Sequence, residues 1–232
     1  MMTDLRIEAD GEDSDILRAK DLKRVLDLGS SRVVLDVGAN VGQFALSVLS
    51  EIDCVIHCFE PGKDAFQGLE LLSKQEKRII PHKFGIDEIS GVQNLFISES
   101  DVGSSLLEPV SGQHSLWATN IGTELVETKR IDELIETLGL SNVALLKTDA
   151  QGADCRVLKS AGKYLAPEHI GSILVELNMH QFYEGQDSLT SIIELMTESG
   201  YFLAGFYPHK NSNNWLWWAD GLFLPLSPPY AT

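Results

Sequence analysis

The sequence predicts a doubly wound (Rossmann-like) α/β fold: a mostly parallel sheet with helices on both faces, finished by an antiparallel C-terminal strand pair. Three observations predict it. From residue 33 onward, short β-branched runs alternate with amphipathic segments. The strand-like runs are continuously apolar, as strands buried on both faces must be. And 232 residues, 44% hydrophobic and 22% charged, suffice for one α/β unit with a full core.

Residues 1–15 carry six acids and one arginine without a hydrophobic period, which predicts an acidic flexible tail ahead of a single domain over 16–232. A helix is expected from Ser14 to about Leu28, with Ile16, Ala19, Leu22, Val25 and Leu26 near helical spacing and Gly29 placed to stop it. It would cover one edge of the domain. Strand 33–38, helix 42–50, strand 55–61, helix 63–74 and strand 78–86 follow. Residues 87–130 interrupt the alternation, since VQNLFIS and ELVETK around a polar Gly/Ser stretch suggest an inserted β-hairpin. The rhythm resumes with helix 131–138, strand 143–149, helix 153–165, strand 172–178 and helix 189–199. Residues 201–207 and 215–225, joined by PHKNSNN, read as the closing antiparallel pair.

Composition restricts the function. With 18 Lys plus Arg against 34 Asp plus Glu, the net charge of −16 would repel phosphate backbones, so no nucleic-acid partner is expected. No apolar run reaches the length of a membrane span and the N-terminus is acidic, so a cytoplasmic protein without membrane attachment is expected. Cys54, Cys58 and Cys155 form no CxxC pair, which fits buried thiols in a reducing compartment; no metal site is expected.

Ligands of open α/β sheets bind beyond the carboxyl ends of the strands, and five places there carry polar chemistry. Asp36-Val37-Gly38-Ala39-Asn40-Val41-Gly42 runs from a strand through a tight glycine loop into a helix, where backbone can approach a ligand closely and free amides favour an anionic group. The pattern is GxNxG, not the GxGxxG of dinucleotide sites, and Asp36 before it suits an ammonium-bearing cofactor. Glu60 ends the second strand 18 residues beyond Gly42, the position of the carboxylate that accepts from ribose hydroxyls. At the next strand end an adenine would rest on Ile86 with its amino group near Asp87. Lys147 and Asp149 share a strand face, with Asp149 at the open edge and Lys147 one step back. Glu176, Asn178 and His180 mark the fifth place.

These residues resemble the FkbM-type methyltransferases, a branch of the class I S-adenosylmethionine-dependent enzymes. The resemblance spans roughly 33–225 and is carried by VVLDVGANVGQFAL, CFEPGKDAF, GSSLLE, VETKRIDELIE, LLKTDAQGADCRVLKSAG, ILVELN with FYEGQ, and LWWADGLFLP. It implies S-adenosylmethionine as cofactor and methylation of a hydroxyl on a sugar or natural-product scaffold. It places Asp36, Gly38, Asn40 and Gly42 around the methionine part, Glu60 on the ribose and Asp149 near the transferred methyl. Ser104 and Ser105 enter, on the resemblance alone, as a lid over the cofactor. One position departs. The family pattern after the acid is usually Val-Glu-Gly, whereas this chain has Ala150-Gln151-Gly152. Gln151 keeps hydrogen-bonding ability but cannot take a proton.

The reading is therefore an O-methyltransferase with a small hydroxyl acceptor, sugar or polyketide-like, homodimerisation being left open. Its alternatives are an NAD-dependent oxidoreductase and a cofactor-binding module without catalysis. Asp149 is expected to orient the acceptor hydroxyl and His180 to take its proton, since an unperturbed imidazole titrates near about 6.5. Trp217 and Trp218 point to opposite sheet faces and are expected to pack.

Overall fold

The structure, a computed structural model, describes residues 11–28, 31–99, 103–110, 120–210 and 214–226. Most of the tail expected over 1–15, and the tip of the 87–130 insertion, lie outside the described residues.

Helix α1 (Gly11–Leu28) begins three residues earlier than the hydrophobic period alone indicates. Then come β1 (Val33–Val37), α2 (Gln43–Glu51), β2 (Val55–Phe59), α3 (Lys63–Gln75), β3 (Ile79–His82), β4 (Gly85–Ile86), β5 (Gly91–Ser98) and β6 (Asn120–Lys129). The second half holds α4 (Ile131–Leu138), β7 (Leu145–Thr148), α5 (Asp154–Lys159), β8 (Ile173–Asn178), α6 (Leu189–Glu198), β9 (Tyr201–Lys210) and β10 (Leu216–Pro225).

Seven strands form one sheet in the order β3-β2-β1-β7-β8-β10-β9. The first five run parallel, and β10 and β9 are antiparallel to their neighbours. The chain works outward from β1 to β2 and β3, then returns to the other side of β1 as β7. The switch point therefore lies between β1 and β7, where an open α/β sheet places its ligand.

Side-chain alternation divides the core between the two faces. Val34, Ile56, Leu145 and Leu174 face Leu22 and Leu26 of α1, Ala45 and Val48 of α2 and Leu69 of α3. Leu35, Val37, Leu146, Ile173 and Val175 face Leu134 of α4, Val157 of α5 and Ile192 and Met196 of α6. Helix α1 covers the β9 edge, where Arg18 pairs with Asp220 and the Tyr207 hydroxyl donates to Asp21 at 2.8 Å. All three cysteines are buried as free thiols.

Two expected elements are divided. The segment 78–86 breaks into β3, which extends the main sheet, and β4, which pairs with β6 in a second sheet of order β4-β6-β5. The hairpin expected in the insertion is β5 with β6. The helix expected over 153–165 stops at Lys159 and resumes as a single 3₁₀ turn at Gly162–Tyr164, because Gly162 takes a left-handed conformation (φ +52°).

Candidate active site

The ends of β1, β2 and β7 are level in register, Val37 opposite Phe59 and Thr148, so the turns leaving them meet around one cavity of about 860 Å³. That volume lies within the usual range of small-molecule sites. The β5–β6 sheet covers its side with Leu95, Ile97 and Ile121.

The glycine loop is held by its neighbours. Gly38 and Ala39 N–H both donate to the Phe59 carbonyl at 3.1 Å, Gly42 N–H donates to the Ala39 carbonyl at 2.8 Å, and Asn40 N–H donates to Glu60 Oε2 at 2.9 Å. Four of the amides expected to receive an anionic group are thus committed within the protein. Gly38 has φ +71°, and a Cβ there would lie 2.0 Å from the Asp149 carbonyl oxygen. Only glycine lets the first and fourth turns approach this closely.

Beneath the loop, Asp36 stands directly opposite Lys147 in the β1–β7 register. Asp36 is fully buried, and Lys147 Nζ sits 3.0 Å from its Oδ1 and 3.6 Å from Asp149 Oδ2. The same ammonium donates to the Gly38 carbonyl at 3.1 Å. Burial pulls the Lys147 ammonium down, but the charges of Asp36 and Asp149 outweigh it and hold the group above the ordinary lysine range. Burial pushes the Asp36 carboxyl up against the pull of Lys147. Asp36 therefore reaches the cavity through Lys147, which lines it, and not directly.

Glu60 accepts from Asn40 N–H through Oε2 and from Gly62 N–H through Oε1, at 2.9 and 2.8 Å. It is buried instead of solvated, and burial pushes its carboxyl up to about 7. A carboxylate is needed to accept from ribose hydroxyls, so cofactor affinity is expected to rise as pH increases from about 6 to about 8. Glu60→Gln should weaken that affinity by about 1.5–3 kcal/mol at pH 8 and flatten the pH dependence, both measurable by titration calorimetry.

The fourth turn is pinned by Asp154, whose Oδ1 accepts from Thr148 Oγ1 at 2.7 Å and Ala150 N–H at 2.9 Å, and whose Oδ2 accepts from Gly152 N–H at 3.2 Å. Gln151, in a left-handed conformation (φ +51°), donates through Nε2 to Asp149 Oδ1 at 2.7 Å and Glu176 Oε2 at 3.3 Å. Its Oε1 lies 3.1 Å from the Tyr183 hydroxyl, which is also 3.1 Å from the Gly103 carbonyl, and the two carboxylates at Nε2 fix the amide's direction. Burial raises the Glu176 carboxyl well above its ordinary range, with the charges of Asp149 and Asp154 adding to the effect. Ser105 Oγ donates to the Gln151 carbonyl at 2.7 Å, while Ser105 and Phe96 exchange backbone hydrogen bonds, so the 103–110 strap ties β5 to the fourth turn.

Of the candidate site residues, Gly38, Asn40, Glu60, Ile86, Ser104, Ser105, Asp149 and Gln151 line the cavity. Asp36, Gly42, Asp87 and His180 do not. Gly42 opens α2 at φ +91°, where a Cβ would meet the Leu72 side chain of α3 at 2.6 Å, so its role is helix packing. Asp87 spends Oδ1 on Arg156 Nε at 3.1 Å and on Glu88 N–H at 2.7 Å, and Oδ2 on Gln93 Nε2 at 2.6 Å. His180 is exposed, its ring edge-on to Phe182, because Met179 N–H donates to the Trp217 carbonyl and draws the chain after β8 toward β10. Trp217 packs on Phe182 and Trp218 stacks on His209. The residue sequence reasoning underweighted is Lys147; its signal was an acid and a lysine at matching depths of two otherwise apolar strands.

A sheet of this topology, with a glycine loop, a strand-end acid and a second acid grouped at its switch point, defines an α/β protein with a nucleotide-type cofactor site. Residues 36–203 match the methyltransferase FkbM domain, and the chain belongs to that family. This sets aside the NAD-dependent alternative. The chain is 27% identical over 173 residues to 2-O-methyltransferase NoeI of Sinorhizobium fredii, covering 71% of this chain and 70% of that protein. It is 25% identical over 187 residues to hexuronic acid methyltransferase AglP of Haloferax volcanii, covering 79% and 72%. Among solved structures, an rRNA methylase from Streptococcus thermophilus shares the fold, with a TM-score of 0.51 at 10% identity over 91% of this chain and 95% of that one. Among the described residues no helix is long and apolar enough to cross a membrane.

Proposed function

We propose that the protein methylates a hydroxyl oxygen of a sugar. The acceptor class is supported by the names of the two relatives, one a 2-O-methyltransferase and the other a hexuronic acid methyltransferase. The observation that carries the catalytic reading is Asp149, whose Oδ1 is held by Gln151 and whose Oδ2 lies 3.6 Å from Lys147 at the wall of the cavity that Glu60 also lines. The donor set fits S-adenosylmethionine: Glu60 toward the ribose, Ile86 beneath the adenine, and the Gly38–Asn40 turn with Asp149 at the methionine end. Bound there, the cofactor supplies a methyl group made electrophilic by its sulfonium. The protein's part is to align the acceptor oxygen and remove its proton; alignment alone is worth about 7–11 kcal/mol. Asp149 accepts a hydrogen bond from the acceptor hydroxyl and takes the proton as the new C–O bond forms. Gln151, unable to hold the proton, steers the carboxylate.

Calorimetry with S-adenosylmethionine, S-adenosylhomocysteine and NAD tests the cofactor assignment. The first two are expected to bind and NAD to give no heat. Tight NAD binding without a response to S-adenosylmethionine would overturn the reading of the glycine loop.

A further inference from the structure

We propose that Lys147 is the counter-charge for the α-carboxylate of S-adenosylmethionine. The inference rests on the cofactor reading above and extends it to a residue outside the glycine loop.

The methionine end of the cofactor is a zwitterion, and its carboxylate needs a cation or uncommitted amides where it lies. The glycine loop has few to offer: Gly38, Ala39 and Gly42 N–H donate to backbone carbonyls, and Asn40 N–H donates to Glu60. Among the described residues the cavity lining contains two lysines and no arginine. Lys63 follows Gly62, whose N–H donates to Glu60, so it lies at the ribose end. Lys147 lies at the other end, with Nζ 3.1 Å from the Gly38 carbonyl and 3.6 Å from Asp149 Oδ2.

Burial and charge fit the role. The Lys147 side chain is only 10% exposed, and it lines the cavity, so a carboxylate bound there meets an ammonium already stripped of most of its water. Asp36 and Asp149 keep that ammonium charged at neutral pH. A charge-assisted hydrogen bond in such a place is stronger than one at the surface. Nζ also lies 5.4 Å from the centre of the Phe44 ring, in the first turn of α2. That helix opens with neither a side-chain cap nor an acid in its first turn, so no acid of that turn competes with an incoming carboxylate, and the positive end of the helix adds to the attraction. A zwitterion brings no net charge, which lets it enter beside Asp149.

The test is titration calorimetry of the full chain at pH 8 with S-adenosylhomocysteine and with its decarboxylated analogue, 5′-deoxy-5′-(3-aminopropylthio)adenosine. Wild type should bind S-adenosylhomocysteine at least about tenfold tighter, as expected for one hydrogen bond between charged groups. The double variant Asp36→Asn/Lys147→Met removes both members of the buried pair and leaves the local net charge as it was. There the ratio of the two affinities should fall at least about fivefold, because the carboxylate has lost the partner it was coupled to. General damage to the cavity would weaken both ligands alike, so an unchanged ratio overturns the proposal. A second readout does not need the double variant to fold. In ¹⁵N-labelled wild type, the side-chain nitrogen resonance of Lys147, assigned by its absence from Lys147→Arg, should shift on addition of S-adenosylhomocysteine and far less with the analogue; equal shifts, or none, overturn the proposal. Equal binding of the two ligands by wild type overturns the carboxylate contact alone and leaves the cofactor reading standing. Failure of wild type to bind either ligand overturns the cofactor reading, and this inference with it.

Discussion

Lys147→Met is expected to destabilise the protein by about 3–5 kcal/mol at pH 7.5, the cost of leaving one partner of a buried ion pair without its counter-charge. Asp36 is fully buried and Lys147 nearly so, and no other cation approaches Asp36 within ion-pair distance among the described residues. With the ammonium gone, the Asp36 carboxyl would hold its proton in the folded state to a higher pH than in the unfolded chain. An acid raised in this way costs nothing below its unfolded value near about 3.9 and progressively more above it, so the deficit relative to wild type should be small at pH 4 and grow toward neutrality. Urea denaturation at the two pH values measures this. Asp36→Asn placed on the Lys147→Met background should recover most of the loss, because neither buried charge then remains. A deficit that is the same at both pH values, and that the second substitution leaves unchanged, would show that Lys147 contributes packing and not charge.

That pair also shows what was legible in the sequence. The alternation of apolar runs and amphipathic helices identified the elements of the main sheet because parallel strands covered on both faces carry a strong local signal. Strand-end logic singled out Asp149, Glu60 and Ile86, and all three line the cavity. The same logic misplaced His180. It is at a strand end, but the chain leaving β8 is tied to antiparallel β10, and that pairing is a long-range fact with no local signature. Asp87 was misread for a similar reason. Expected near an adenine amino group, it pairs with Arg156, 69 residues further on. Lys147 was visible but looked like a stem one step behind the site. Its role depends on facing Asp36 across two strands 111 residues apart, a register set by the completed sheet.

Asp149→Asn is expected to lower kcat for methyl transfer at saturating S-adenosylmethionine by about 10²–10⁴, the range for loss of a positioned base. Asparagine keeps the size and the Gln151 contact can be remade through its carbonyl oxygen, so the loss would report proton acceptance and not collapse of the turn. Gln151→Glu tests the arrangement from the other side. It removes the donor at 2.7 Å from Asp149 and sets a third carboxyl between Asp149 and Glu176. Like charges this close cannot all ionise, so one proton stays in the cluster to higher pH, and the acidic limb of the kcat profile should move upward by a unit or more. His180→Ala is the control, because His180 is exposed and outside the cavity lining. It should leave both kcat and the profile as in wild type. A tenfold loss in His180→Ala with full activity in Asp149→Asn would transfer the proton to His180 and require the loop after β8 to close over the acceptor.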